Sequence, residues 1–192
     1  TWFVVDGMDG TGKSTMAKII KEHLESKGRR VLLIEHPDKN KIAGRLESCL
    51  LQSDCGKLSK ILTTVTFIAD VLGSLTLKWL KESEYDDFVF VRYIMSVAYL
   101  PNRLAFKAYN IISRILPMPE TRILAHVDVG TAMKRIENRG DGREIFENDD
   151  DLKRTGNLMI ELSRDSWIVI DNTNSPDNVR TELVGIIENC MN

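Results

Sequence analysis

The chain has 192 residues, 43% of them hydrophobic, which is enough for a full core and short enough for one domain spanning 1–192. Lysine plus arginine number 26 and aspartate plus glutamate 28, a net charge of -2 that argues against nucleic acid or membrane partners and favours small molecules. No apolar run approaches the about 20 residues of a membrane span. The three cysteines lack metal-ligand spacing, which predicts reduced thiols in a cytoplasmic protein.

Five short apolar runs rich in valine and isoleucine predict the strands, at residues 2–5, 31–34, 88–91, 123–127 and 167–170. These runs are continuous rather than alternating, so we expect strands buried on both faces. Longer stretches with helical periodicity separate them. The order predicts a three-layer α/β/α fold with a five-stranded parallel sheet.

Helix boundaries are marked by glycine and proline. Gly28 ends the first predicted helix, residues 56–83 form a long one, and Pro101 begins another that ends near Pro117. Ser175 and Pro176 begin the last helix. Its predicted inner stripe consists of Val179, Leu183, Ile186, Ile187 and Cys190.

Residues 7–14, GMDGTGKS, fit the pattern G-x-x-x-x-G-K-S/T between a predicted strand and a predicted helix. The glycines let successive N–H groups face a phosphate, the lysine reaches the β- and γ-phosphates, and the serine hydroxyl suits Mg²⁺. A glycine-rich turn without a ligand is the alternative. The predicted P-loop binds ATP through Gly7, Asp9, Gly10, Thr11, Gly12, Lys13, Ser14 and Thr15, with Ser14 as metal ligand.

An aspartate inside this loop is unusual, because a carboxylate repels phosphates unless it points away from them. Asp9 either accepts a hydrogen bond from a hydroxyl of a second substrate or caps the turn. Both interpretations remain open on the sequence.

Six segments in order along the chain resemble the thymidylate kinase family of P-loop nucleoside monophosphate kinases. They are GMDGTGKST, residues 31–51, FIADV, RYIMSVAY, HVDVGTAMKRIENRG and REIFENDDDLKRTGNL. The resemblance implies a P-loop NTPase fold and, in nucleotide biosynthesis, transfer of the ATP γ-phosphoryl group to dTMP with Mg²⁺. Family members are commonly homodimers, and the apolar stretch 58–80 is a hint of such an interface. A helix buried on two sides within the monomer is the alternative.

The resemblance also implies roles for residues of the acceptor site. Lys39 and Arg92 hold the acceptor phosphate and Phe67 stacks on the base, although a phenylalanine on a helix is often a core residue. Tyr93 and Tyr99 line the acceptor pocket. Asp9 then contacts the acceptor sugar.

A lid at about residues 139–147 is implied as well. Arg135, Arg139 and Arg143 lie four residues apart, and the glycines at 140 and 142 predict a break in the helix. Some family members carry a basic residue at the P-loop position that is Gly10 here, and in those that lack it a lid arginine usually supplies the catalytic positive charge. The resemblance therefore implies that Arg143 is catalytic, together with Lys13 and Arg92. Arg139 is expected to bind ATP. A solvated basic face is the alternative.

Three departures from the family pattern keep a second function open. Val91 stands where an aspartate near Mg²⁺ is usual, and Val71 stands where an arginine reads the base. The lid's usual Glu-Arg-aromatic-Glu reads EIFE at 144–147. The alternative is a P-loop nucleotide-binding protein with another nucleotide or nucleoside as acceptor, or with little kinase activity.

Overall fold

The structure, a computed structural model, describes residues 1–36, 56–139, 149–173 and 175–191, without the side chains of 56–66 and 139. Five parallel strands form one sheet in the order β2-β3-β1-β4-β5. They are β1 (Trp2–Asp6), β2 (Val31–Glu35), β3 (Asp87–Val91), β4 (Thr121–His126) and β5 (Ile168–Asp171). The predicted five-stranded parallel sheet is confirmed.

The helices connect these strands. They are α1 (Lys13–Ser26), α2 (Gly56–Leu80), α3 (Asn102–Ile115), α4 (Val129–Arg139), α5 (Asp149–Ser163) and α6 (Pro176–Met191), with a 3-10 helix at Ile94–Tyr99. Gly28 follows the end of α1 with a φ of 78°, and its N–H donates to the Glu25 carbonyl, as the glycine predicted. In the described ranges, no helix combines the length and the apolar character needed to cross a membrane.

The sheet has a separate apolar core on each face, which confirms the three-layer architecture. On one face, α1 and α6 pack through Met16, Ile20, Leu24, Val179, Leu183 and Ile187. On the other face, α2, α3, α5 and the 3-10 helix contribute Val71, Ala105, Leu152, Met95 and their neighbours. The central strands β1 and β3 are buried along their whole length, which explains why residues 2–5 and 88–91 are all apolar.

Two details differ from the sequence predictions. The strand β5 lies at the sheet edge, so Ile168 and Val169 are 40% and 42% exposed and the expected burial on both faces is wrong there. Cys190 is exposed, whereas Met191 packs partly against the core. The Cys190 Sγ nevertheless lies 3.1 Å from Oγ1 of Thr121 on β4, so the thiol still contacts the sheet.

Candidate active site

The phosphate loop follows β1 and is fitted closely between β4 and α4. Gly7, Gly10 and Gly12 have φ angles of 146°, 79° and 86°, which side-chain-bearing residues rarely adopt. A Cβ atom on Gly7 would lie 2.4 Å from the Ala125 carbonyl oxygen, and one on Gly10 would lie 2.5 Å from that of Ala132. Glycine is therefore required there both for backbone conformation and for space.

The loop ends where α1 begins. Gly12 is the N-cap of that helix, and its carbonyl accepts the first intrahelical hydrogen bond from the Met16 N–H at 3.0 Å. Lys13, Ser14 and Thr15 occupy the first turn. The positive end of the helix dipole therefore faces the same space as the loop N–H groups, which favours an anion.

Lys13 is buried at the base of the loop. Its Nζ donates to the Met8 carbonyl at 2.7 Å and lies 3.5 Å from Oδ1 of Asp9. Burial lowers the pKa of Lys13 to about 8, although the neighbouring Asp9 carboxylate opposes the shift. A bound polyphosphate would favour the charged ammonium and oppose this shift further.

Asp9 connects the phosphate loop to the segment after β3. Its Oδ1 accepts a hydrogen bond from Nη2 of Arg92, and its Oδ2 accepts one from the Tyr99 hydroxyl at 2.8 Å. Burial raises the pKa of Tyr99 well above its usual range, and the adjacent Asp9 charge adds to the shift. With Lys13 also near Oδ1, the Asp9 carboxylate is shared by two cations and one hydroxyl.

The backbone at Arg92 is strained and held from two sides. In the described ranges, Arg92 is the one non-glycine residue with positive φ, at 64°. Its N–H donates to the Val5 carbonyl at 3.0 Å, and its carbonyl lies 2.9 Å from Nδ1 of His36. Because a carbonyl only accepts, Nδ1 carries the proton. His36 was missed from the sequence, where only its place directly after a strand was visible.

Asp6, at the end of β1, joins the loop to the segment that follows β3. Its oxygens accept hydrogen bonds from the backbone N–H groups of Gly7, Tyr93 and Met95 at 3.1, 2.8 and 3.2 Å. The side chain is fully buried, and this burial raises its pKa despite those bonds. Asp6 therefore orders the backbone around Arg92 rather than facing a metal.

The outer side of the loop is braced by two side chains that the sequence interpretation did not place there. Asn172 donates through Nδ2 to the Thr11 carbonyl at 2.7 Å. Arg135 on α4 donates to the carbonyls of Asn172 and Gly10 at 2.9 and 3.4 Å. The sequence showed Arg135 only as one of three evenly spaced arginines.

The remaining predicted acceptor residues occupy different environments. Phe67 on α2 is half-buried, with its ring 6.1 Å from the His36 ring. Tyr93 is buried, and its hydroxyl donates to the Pro117 carbonyl at 2.8 Å. Lys39, Arg143, the Arg139 side chain and nearly all of the predicted lid at 139–147 lie outside the described residues. The acceptor and lid roles stay predictions.

The motif serine has a carboxylate partner. Ser14 Oγ donates to Oε2 of Glu35, at the end of β2, at 3.3 Å. Among the described residues, no three His, Cys, Asp or Glu side chains lie together to hold a metal unaided. Mg²⁺, however, prefers a few protein oxygens together with phosphates and water. The hydroxyl–carboxylate pair at the start of α1 fits such a cation.

Two valines occupy the positions where the resemblance expects polar side chains. Val91 and Val71 are buried, 3% and 4% exposed, and belong to the cores on opposite faces of the sheet. The fold therefore uses both as packing residues.

The parallel sheet, the glycine loop at the end of its central strand and the buried lysine define a P-loop nucleotide-binding protein. The family model for thymidylate kinase matches residues 5–183. The chain therefore belongs to the thymidylate kinase family and is a kinase.

Similar proteins support this assignment along the whole chain. The thymidylate kinase of Thermosipho africanus is 26% identical over 199 residues, covering 95% of each chain. A probable thymidylate kinase of Methanocaldococcus jannaschii is 29% identical, covering 98% of this chain and 96% of its own. The solved thymidylate kinase of Candida albicans superposes with a TM-score of 0.76 at 22% identity, covering 99% of this chain and 92% of that one, which supports the fold.

Proposed function

We propose that the protein transfers the γ-phosphoryl group of ATP to the 5′-phosphate of dTMP, giving dTDP and ADP. The observation that carries this proposal is the contact set of Asp9, which joins the loop lysine Lys13 to Arg92 and Tyr99. A protein that only hydrolyses ATP needs no such link. A kinase must hold two polyanions in line, with a cation beside each.

The proposed reaction is a single displacement. A 5′-phosphate oxygen of dTMP attacks the γ-phosphorus, a new P–O bond forms, and the bond to the β–γ bridging oxygen breaks with its electron pair leaving on ADP. Loop N–H groups and Lys13 bind the donor phosphates. Arg92 binds the acceptor phosphate and is oriented by Asp9.

ATP and Mg²⁺ are the proposed cofactors. Mg²⁺, when bound with ATP, offsets charge on the β- and γ-phosphate oxygens, and Ser14 is the residue proposed to hold it. The lid residues Arg139 and Arg143 are proposed to close over the donor, with Arg143 adding positive charge during transfer.

On the acceptor side we propose Lys39 as a second phosphate ligand and Phe67 as the stacking residue for the base. Tyr99, whose hydroxyl contacts Asp9, and Tyr93 complete the proposed pocket. Since the residue at 71 is a buried valine, the base is proposed to be read less strictly than an arginine there would allow.

We further propose that residues 1–192 act as one kinase domain in the cytoplasm, as a homodimer. The free thiol of Cys190 fits a reducing compartment. The exposed Ile68 and Leu72 on α2 fit an apolar interface.

The test is a panel of acceptors with ATP and Mg²⁺: dTMP, dUMP, the other nucleoside monophosphates and thymidine. ADP release and the phosphorylated product are both measured. We expect dTDP from the wild-type protein, none from Lys13→Ala, and near-normal turnover from Lys18→Ala, which removes an exposed lysine of the same helix. Tight ATP binding without turnover of any acceptor would overturn the proposal.

A further inference from the structure

We propose that Glu35 supplies the protein carboxylate for the Mg²⁺ that accompanies ATP, beside the Ser14 hydroxyl. The proposal rests on the proposed function only in that ATP brings the cation to the loop. It assigns to the end of β2 a role that the family resemblance places at the end of β3, where this chain has Val91.

The first support is the position of Glu35 in the sheet. It is the last residue of β2, and its Cα pairs with that of Val91, the last residue of β3. Paired residues of parallel neighbours share a face of the sheet, and Val91 packs in the core beneath α1. The Glu35 carboxylate therefore lies on the same face of the sheet as position 91 and one strand away from it. Both positions are at the carboxyl end of the strands, where α1 begins.

The second support is direct contact with the motif serine. Glu35 Oε2 lies 3.3 Å from Ser14 Oγ, so the hydroxyl and the carboxylate already face one another across the start of α1. Each is an oxygen donor of the kind that Mg²⁺ prefers. The hydrogen bond between them leaves lone pairs on both oxygens for a cation or its water shell.

The third support is a comparison with the other nearby acids. Asp6 is fully buried and accepts three backbone hydrogen bonds, while Asp9 is 5% exposed and contacts Arg92, Tyr99 and Lys13. Glu35 is exposed, so it can meet a hydrated cation without losing contacts of this kind. Mg²⁺ usually keeps several waters and takes one or two carboxylates together with phosphates.

The experiment measures metal binding without catalysis. Mn²⁺ is titrated into protein saturated with a non-hydrolysable ATP analogue, and the bound fraction is read by electron paramagnetic resonance. Glu35→Gln removes the charge but keeps an acceptor for the Ser14 hydroxyl. We expect about tenfold weaker Mn²⁺ binding. The analogue should bind as in the wild-type protein when EDTA removes the metal.

Two variants sharpen the test. Glu35→Asp keeps a carboxylate and should retain more Mn²⁺ affinity than Glu35→Gln, while Glu25→Gln, at the far end of α1, should match the wild-type protein. Unchanged Mn²⁺ binding by Glu35→Gln would overturn the proposal. An equal loss of affinity for the ATP analogue with metal and with EDTA would overturn it too. Glu35 would then act on the loop itself and not through the cation.

The outcome is separable from that of the proposed function. A lowered Mn²⁺ affinity in Glu35→Gln supports the metal role whether or not dTMP is phosphorylated. Production of dTDP by a Glu35→Gln variant with normal Mn²⁺ binding would leave the kinase assignment intact and remove the metal role.

Discussion

Arg92 and Asp9 form an ion pair between segments 83 residues apart, which ties the acceptor side of the site to the phosphate loop. Arg92 is 19% exposed at its side chain and Asp9 is 7%, so solvent screens this pair less than a surface pair. Two further groups, Lys13 and Tyr99, share the same carboxylate. Loss of the Asp9 charge should therefore affect both substrates.

Asp9→Asn keeps the side-chain shape and removes the charge. We expect kcat/KM for dTMP to fall about 100-fold, because a partly buried arginine loses its counter-ion. A double-mutant cycle with Arg92→Met should give a coupling free energy of about 2 kcal/mol. Asp177→Asn, on the exposed first turn of α6, is the control. Additive effects of the two substitutions would contradict the pairing.

ATP binding should be coupled to proton uptake by Lys13, and the uptake should depend on pH. Since its pKa is about 8 in the free protein, part of the population is neutral above pH 8, and ATP binding there should recruit a proton. Calorimetry at pH 8.5 in two buffers of different ionisation enthalpy measures this uptake. The uptake should vanish in Lys13→Met and at pH 6.5. The same uptake in Lys13→Met would assign the proton to another group.

The same pKa has a consequence for stability. Between about pH 8 and 10.5 the unfolded chain binds the Lys13 proton and the folded protein releases it. The free energy of unfolding should therefore rise with pH across this window, relative to Lys13→Met. Urea unfolding at several pH values checks the sign, and a fall relative to the variant would be inconsistent with a buried lysine.

Gly10 and Gly28 form a matched pair of glycines with φ angles of 79° and 78°. Alanine at either position costs about 1–2 kcal/mol for the left-handed conformation. At Gly10 a Cβ would also lie 2.5 Å from the Ala132 carbonyl oxygen, whereas at Gly28 nothing lies within 4 Å. Gly28→Ala should lower only the melting temperature. Gly10→Ala should lower the melting temperature and also abolish ATP binding, which calorimetry measures. Normal ATP binding by Gly10→Ala would contradict the prediction, because the loop would then accommodate the Cβ without cost.

His36→Phe should disturb the acceptor side. The substitution keeps an aromatic ring but removes the Nδ1–H donor to the Val91 and Arg92 carbonyls. This loss should lower the free energy of unfolding by about 1–3 kcal/mol. We expect a lower melting temperature and a higher KM for dTMP, with the KM for ATP changed less. His23→Phe, which removes a histidine bonded to Glu188, is the control. Equal effects on both KM values would count against a local role.

The proposed dimer interface is tested by charge. Leu72 on α2 is 45% exposed, and Ile115 at the end of α3 is 73% exposed. If α2 forms the proposed interface, the wild-type protein should sediment as a dimer and Leu72→Glu as a monomer, because the substitution places a carboxylate in an apolar contact. Ile115→Glu should leave the mass unchanged. A monomer from Ile115→Glu and a dimer from Leu72→Glu would place the interface on α3.

The strands and the phosphate loop were predictable because their signals are local. The loop motif fixes its own glycines, and the buried strands β1 and β3 are apolar at nearly every position. Gly28 marked the end of α1 by the same local chemistry. The edge strand β5 was misjudged because its sequence resembles that of a central strand.

The contacts around the loop were not predictable because they depend on strand order. His36 reaches Arg92, and Glu35 pairs with Val91, because β2 lies beside β3. Asn172 reaches Thr11 because β5 follows β4 on the other side of β1. Spacing along the chain carries no signal for such neighbours. The resemblance supplied Arg92, but not its pairing with the loop aspartate.

Gly12 and Asn172 show that the phosphate loop does not end at its own motif. A Cβ atom on Gly12 would lie 2.3 Å from Nδ2 of Asn172, so the last glycine leaves room for an amide from the far side of the sheet. That amide holds the Thr11 carbonyl. Transplanting residues 7–14 into another scaffold would therefore leave the loop without one wall. The transferable unit is the octapeptide together with an asparagine more than 150 positions downstream.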